Sequence, residues 1–337
     1  MSDVALPNYI KFLQQNENYP HPADEISLVQ THISFVLLAG DSVYKWKKPV
    51  DFGFLNFSSL EKRKYYCEQE LELNRRLCPD LYKELVTLNV EGDSFCLNGG
   101  GEVVEYGIRM SRMPEELMMG RVMAAGKVTR NHIDSIIEQL VPFYENAAGD
   151  AAIKEFGLAK SVAVNVLENF EQTEGFVGQG ALSAEQFEAI SIYSKEFLSH
   201  EDRFQARIDA GKIRDCHGDM HSANICLTDP VSIFDCIEFN ERFRYTDVAA
   251  DVGFLAMDLD FHGEEELSDY FIEQFVATSG DSGLIGMLNF YKCYRTYVRA
   301  KIALFTASDP AVDSATKEAC IDQARKHFLL AEKYAAA

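Results

Sequence analysis

The sequence has little with which to enter a membrane and little with which to hold nucleic acid. No apolar run approaches the roughly 18 residues of a membrane span, and the opening MSDVALPNYIK lacks the apolar core of a signal peptide. Basic residues are scarce: 32 Lys and Arg against 53 Asp and Glu leave a formal net charge of −21. No basic surface on such a chain neutralises many phosphates, so nucleic acid is excluded as a partner, whereas a cationic small molecule has room. The eight cysteines include no C-x-x-C pair, and Cys216, Cys226 and Cys236 sit in apolar runs. They read as reduced, buried side chains of a cytoplasmic protein, not as bridges or zinc ligands. Internal repeats, low-complexity tracts and long linkers are lacking too.

At 337 residues, 47% hydrophobic and 25% charged, the chain is long enough for two lobes of an ordinary globular protein. Its densest chemistry is CHGDMHSAN, residues 216–224, which packs two histidines, an aspartate, an asparagine and a glycine into nine positions. The runs 213–216 and 224–227 on either side read as short buried strands, so His217 to Ala223 form a tight loop held against a sheet. Such loops carry chemistry more often than stability. A further strand, 231–234, follows the turn Asp229-Pro230 and ends in Asp235.

His217-Gly218-Asp219-x-His221-x-x-Asn224 with a strand ending in Asp235 resembles the catalytic core of the aminoglycoside-phosphotransferase-like kinases, relatives of the protein kinases. The bacterial branch it resembles is sometimes fused to a P-loop kinase domain, and this chain is expected to stop short of one. Phosphoryl transfer needs a carboxylate to orient the acceptor hydroxyl and oxygen ligands to hold the metal that neutralises the triphosphate. The resemblance implies Asp219 as that base, Asn224 and Asp235 as ligands of Mg2+, and ATP, with GTP as an alternative, as the donor. It implies a bilobal, protein-kinase-like α+β fold. A small antiparallel-sheet lobe would span 1–113, with a leading helix and a hinge at about 110–113. A larger, mainly helical lobe would span 114–337 and carry the loop 216–224.

Strand alternation in residues 43–48 puts Lys45 and Lys47 on one face and Tyr44 and Trp46 on the other. The resemblance makes one of these lysines the grip on the nucleotide's phosphates, paired with a glutamate on the next helix. Lys45 is favoured over Lys47, and Glu70 over Glu68. That helix opens with a capping box, Ser58 and Glu61, and runs to about Leu77 before Cys78-Pro79 stops it. Thr31, His32 and Ser34 are expected on the loop above the phosphates. Met110 and Met113 are expected at the hinge, where an apolar wall meets the base.

Helices are expected at 117–125, 130–147, 159–171 and 184–200. The segment GRVMAAGKVT (120–129) is no phosphate-binding P-loop, since five residues separate its glycines and valine follows the lysine. Strands at 85–90, 94–97 and 103–110 complete the small lobe. In the buried helix read within 239–259, Asp247 reads as a cap and, by the resemblance, Asp251 as a brace for the catalytic loop. His217 and His221 read as packed supporting residues. Lys292, Arg295 and Arg299 fall at i, i+3 and i+7, and Arg295 and Arg299 are candidates for holding an acidic group of the acceptor. The expected activity is transfer of the terminal phosphate of Mg·ATP to a hydroxyl of a small molecule. Two other classes stay open: a nucleotide-binding pseudokinase, and a metal-dependent hydrolase using the His217, Asp219, His221 and Asp235 set.

Overall fold

The structure, a computed structural model, describes residues 6–337. Residues 1–5, where the expected small lobe opens and part of the signal-peptide reading falls, lie outside the described residues. In order the chain forms α1 (Asn8–Leu13), β1 (Ile26–Gln30), β2 (Ser34–Ala39), β3 (Ser42–Lys47), α2 (Leu60–Asn74), β4 (Tyr82–Glu91), β5 (Ser94–Leu97) and β6 (Glu102–Ser111). It continues through α3 (Met119–Ala124), α4 (Arg130–Asn146), α5 (Ala151–Lys154), α6 (Ala159–Thr173), α7 (Ala184–Ser199), α8 (Glu201–Asp209), β7 (Ile213–Asp215), β8 (Ile225–Cys226) and β9 (Ser232–Ile233). It ends with α9 (Glu241–Arg244), β10 (Tyr245–Asp247), α10 (Val248–Phe261), α11 (Glu265–Ser279), α12 (Ile285–Ser308) and α13 (Ser314–Ala335).

The chain divides into two compact units. Among the described residues, one comprises residues 6–122 together with Ala223–Glu241; the other comprises Met123–Ser222 and Arg242–Ala337. This differs from the expected boundary after residue 113. The stretch after Met113 and the β8–β9 hairpin both stay with the sheet, because Met118 bridges Cys226 and Leu227 N–H donates to the Leu117 carbonyl at 2.8 Å.

In the first unit six antiparallel strands run in the order β1-β2-β3-β6-β4-β5. The period of two in β3 sorts its side chains: Tyr44 and Trp46 enter a core with Ile10, Leu13, Phe35, Leu37, Val86 and Leu88. Gly107, opposite Trp46 in the β3–β6 register, makes room for that indole; a Cβ there would sit 2.6 Å from the ring. The opposite face packs α2 through Cys67, Leu71, Ile108 and Met110, and this is the face on which Lys45 and Lys47 emerge. α2 starts one residue later than expected. Ser59 is the N-cap, accepting from Lys62 N–H at 3.3 Å, while the Ser58 hydroxyl turns away to Asn56 Oδ1. The helix ends at Asn74, three residues short of the expected stop.

The second unit is mainly helical. α4, α6 and α7 match their expected spans to within two residues, and α4 and α7 open with capping boxes at Thr129 and Ser183. α10 is buried from Val248 through Leu259, as an apolar helix must be on every side. Asp247 caps it, accepting Ala249 N–H at 2.9 Å while Arg207 donates to both of its carboxylate oxygens. The segment 120–129 is the end of α3 and a turn, with no strand before it. Among the described residues no helix is long and apolar enough to cross a membrane, and none of the eight cysteines lies in a disulfide.

Candidate functional site

Among the described residues, the expected site residues fall mainly in two polar clusters, one in each unit. In the helical unit, β7 pairs with β10 and delivers the chain into the loop that follows. Gly218 takes φ +87° there, a conformation that favours glycine. Two carboxylates of α10 hold the loop by its backbone. Asp251 Oδ2 accepts His217 N–H at 2.7 Å and Asp251 Oδ1 accepts Gly218 N–H at 3.0 Å; Asp258 Oδ2 accepts Ser222 N–H at 2.8 Å. Buried carboxylates persist when hydrogen bonds satisfy them, and these also fix the loop. Asp251 was expected in this role. Asp258 was not, although it lies seven residues on, on the same face of an otherwise apolar helix.

That loop presents Asp219, whose side chain is about one third exposed at 34%. His221 Nε2 lies 3.3 Å from Asp219 Oδ2, and Asp219 N–H donates to His217 Nδ1 at 3.3 Å. Burial works to raise the Asp219 carboxyl. The imidazole of His221 and the charges of Arg299 and His217 outweigh it and hold the group well below the usual carboxylate range. A carboxylate so firmly ionised is a poor proton acceptor in the ground state and a good acceptor of a hydrogen bond, which suits it to orient a hydroxyl.

In the sheet-bearing unit, α2 turns an unusual stripe inward: Arg63, Cys67, Glu70 and Asn74 are all buried. Each polar member is answered. Arg63 Nε donates to Glu105 at 2.7 Å, and Asn74 Oδ1 accepts Cys236 N–H at 2.9 Å. Glu70 receives both lysines of β3: Lys45 Nζ is 2.8 Å from its Oε1 and Lys47 Nζ is 2.6 Å from its Oε2. Lys45 also donates to Asp235 Oδ1 at 2.7 Å, across 190 positions of sequence, and Lys47 donates to Glu238. Burial presses the Lys45 ammonium down, but Asp235 and Glu70 raise it well above its ordinary value. Burial raises Glu70 and Glu238 alike. The two lysines reverse this for Glu70, which lies below the usual range, whereas Glu238, repelled by Glu70, stays raised. Two ammonium groups cannot neutralise three carboxylates.

The β8–β9 ladder brings the two expected metal ligands together, since Phe234 N–H donates to the Asn224 carbonyl at 3.0 Å. Asp235 follows with φ +62°, a left-handed conformation rare for a side chain other than glycine, which re-aims its carboxylate. Its backbone N–H donates to Tyr82 Oη at 3.3 Å, and its side chain is half exposed. An exposed carboxylate and an asparagine beside it, in a cluster with surplus negative charge, are the hard oxygen donors that a magnesium ion takes. Among the described residues no group of three or more His, Cys, Asp and Glu is gathered to hold a metal unaided, so the hydrolase alternative gains no support.

Lys45 and Lys47 both reach Glu70, while Glu68 is exposed and approaches Lys64 at 3.8 Å. Glu238 was missed; its signal was an acid three residues after Asp235 in an apolar stretch. Thr31 Oγ1 accepts Ser34 N–H at 2.9 Å within the β1–β2 turn, next to the exposed His32. Ser34 belongs to β2, opposite Lys47, and its buried hydroxyl has no hydrogen-bond partner. Met110 lies in β6, opposite Val43 and Tyr82, and Met113 packs beside the same core. Lys292 is tied to Asp260 at 2.7 Å, and Arg295 approaches Asp251 at 3.9 Å.

The amicoumacin kinase hAmiN, solved with AMP-PNP, Ca2+ and amicoumacin, matches 96% of this chain and 93% of its own at TM-score 0.52 and 10% identity. The chain has a kinase-like fold. A choline/ethanolamine kinase family protein from Mesorhizobium loti (TM-score 0.49, 11% identity, 98% of this chain and 97% of that one) is a second structural neighbour of this kinase-like chain. In sequence it is 32% identical to uncharacterised proteins of Mycobacterium tuberculosis and Mycobacterium bovis over 319 residues, 93% of this chain. It spans 61% of the length of those curated relatives. No protein-family model matches it.

Proposed function

We propose that the chain is a phosphotransferase that moves the terminal phosphate of Mg·ATP to a hydroxyl of a small molecule. The observation that carries this reading is the Lys45 ammonium bound at once to Glu70 of α2 and to Asp235. In this reading Lys45, steadied by Glu70, holds the phosphates, and the buried Lys47 braces Glu70 from behind. Asn224 and Asp235 hold the magnesium ion, whose part is to neutralise developing charge on the phosphoryl oxygens. Asp219 orients the acceptor hydroxyl. The phosphorus–oxygen bond to the departing ADP breaks, a new one forms to the acceptor oxygen, and the hydroxyl proton passes to Asp219 and on to solvent. Positioning and charge neutralisation supply most of the acceleration. The AMP-PNP and Ca2+ in the amicoumacin kinase support a nucleotide with a divalent ion here.

Thermal unfolding tests this with Mg·ATP, Mg·GTP and Mg2+ alone, on the wild type and on Asp235→Asn. A nucleotide at a hundred times its dissociation constant adds about 2.7 kcal/mol. The expected result is a Mg·ATP shift that shrinks in the variant. No shift with either nucleotide, or an equal shift in both proteins, overturns the assignment.

A further inference from the structure

The Asp219 carboxylate lies 3.3 Å from the His221 imidazole, in a chain whose formal net charge is −21. α12, packed on α10 and α13, carries Lys292, Arg295 and Arg299 along one face. The three differ in how far the protein satisfies them. Lys292 donates to Asp260 at 2.7 Å and to Ser268 at 3.3 Å, and is accounted for. Arg295 is only 5% exposed, and its Nε is buried with no hydrogen-bond partner. The carboxylate it approaches, Asp251, already accepts from two loop N–H groups and from the Tyr144 hydroxyl. The Arg295 guanidinium lies 5.0 Å from the centre of the Phe254 ring, and that ring packs 5.3 Å from His221, the partner of Asp219. Arg299, one turn further along α12, is half-buried and makes no ion pair or hydrogen bond among the described residues. Its charge still acts on Asp219 and on His327.

A guanidinium drawn partly out of water without acceptors is costly, and its planar fork matches the oxygens of a phosphate or a carboxylate. We propose that the acceptor carries an anionic group, a phosphate or a carboxylate, beside its reacting hydroxyl, and that Arg299, with Arg295 behind it, binds that group. The inference rests on the phosphotransferase reading and names its substrate class. It runs against the bulk charge of the chain, which on its own favours a cationic acceptor.

The test uses glycerol, glycerol 3-phosphate, glycerate and 3-amino-1,2-propanediol, which share hydroxyls and differ in charge, with inorganic phosphate alongside. Thermal unfolding at constant ionic strength is followed for the wild type, Arg299→Gln and Arg299→Lys. A phosphate-bearing or carboxylate-bearing probe is expected to raise the wild-type Tm, glycerol and the amine are not, and the rise is lost in Arg299→Gln and largely kept in Arg299→Lys. Whichever anion gives the larger shift identifies the group. Equal shifts in wild type and Arg299→Gln for every anion overturn the proposal. A second arm measures transfer from labelled ATP, with kcat/KM for an anionic probe expected at least about tenfold above glycerol and the gap closed in Arg299→Gln through KM. Preference for the amine overturns the proposal as well. If Mg·ATP stabilises the wild type and no anion does, this inference alone fails. If Mg·ATP gives no shift, the phosphotransferase reading fails while the anion arm still reads out.

Discussion

In the sheet-bearing unit two ammonium groups, Lys45 and Lys47, stand among three carboxylates, Glu70, Asp235 and Glu238. In the helical unit the loop carboxylate Asp219 stands within the fields of His221 and Arg299, near a guanidinium, Arg295, that is only partly satisfied. The first region holds one more carboxylate than it has ammonium groups, and in the second the buried Arg295 Nε has no hydrogen-bond partner. A structural ion-pair network would be expected to balance itself, because unpaired buried charge is expensive. In the function proposed above, the first region is the place for a metal ion arriving with a nucleotide, and the second the place for an acidic group arriving with an acceptor. The CHGDMHSAN segment serves both, contributing Asp219 to one region and Asn224 to the other.

The largest expected effect breaks the comparison on the helical side. Asp219→Asn keeps the shape of the loop and removes the charge that orients the hydroxyl, so kcat is expected to fall by about 100-fold to 10,000-fold, with nucleotide affinity little changed. Equal losses in turnover and in Mg·ATP binding would assign Asp219 to the nucleotide instead. Next comes the sheet-bearing side. Glu70→Ala takes away the carboxylate shared by two lysines, one of them fully buried, leaves each a single partner, Asp235 or Glu238, and is expected to cost about 1.5–3 kcal/mol of stability, measured by urea unfolding. A loss below about 1 kcal/mol would mean that the network behaves as surface charge and that its imbalance has no bearing on function.

The smallest effect sharpens the positive side. Burial first, and then the charges of Arg299 and His262, push the His327 imidazole down to about 3, so it is neutral in the fold at neutral pH. The unfolded chain takes up that proton near pH 6.5, so stability falls as pH drops from about 6.5 towards 3, by up to about 1.4 kcal/mol per pH unit. His327→Gln is expected to flatten the profile by that amount between pH 6.5 and 4.5. Parallel profiles would show that the imidazole is charged in the fold, a second cation beside Arg299.

Much of this was legible in the linear sequence because it depends on near neighbours. A period of two put Lys45 and Lys47 on one face of a strand, Thr129 and Ser183 started helices where capping residues must, and the spacing from His217 to Asn224 marked a loop that carries chemistry. The cap of α2 was misplaced by one residue because Ser58 and Ser59 are equally good caps, and only the Asn56 turn decides between them. Glu70 was expected to meet a lysine of β3, but the burial of Arg63 and Asn74 beside it depends on partners from Glu105 and Cys236 that local patterning cannot show.

By itself, then, the sequence determined most element types, the faces of β3 and the loop that joins β7 to β8, all set by interactions a few residues in reach. Only the tertiary structure decided that one glutamate serves two lysines, that Glu238 joins them, that Asp258 grips the loop and that the field at Asp219 is positive in an acidic protein. Those outcomes come from charges brought together from distant parts of the chain, as much as 191 positions apart for Lys47 and Glu238. Coulomb energy depends on that spatial distance and on burial, and neither is written in the order of the residues.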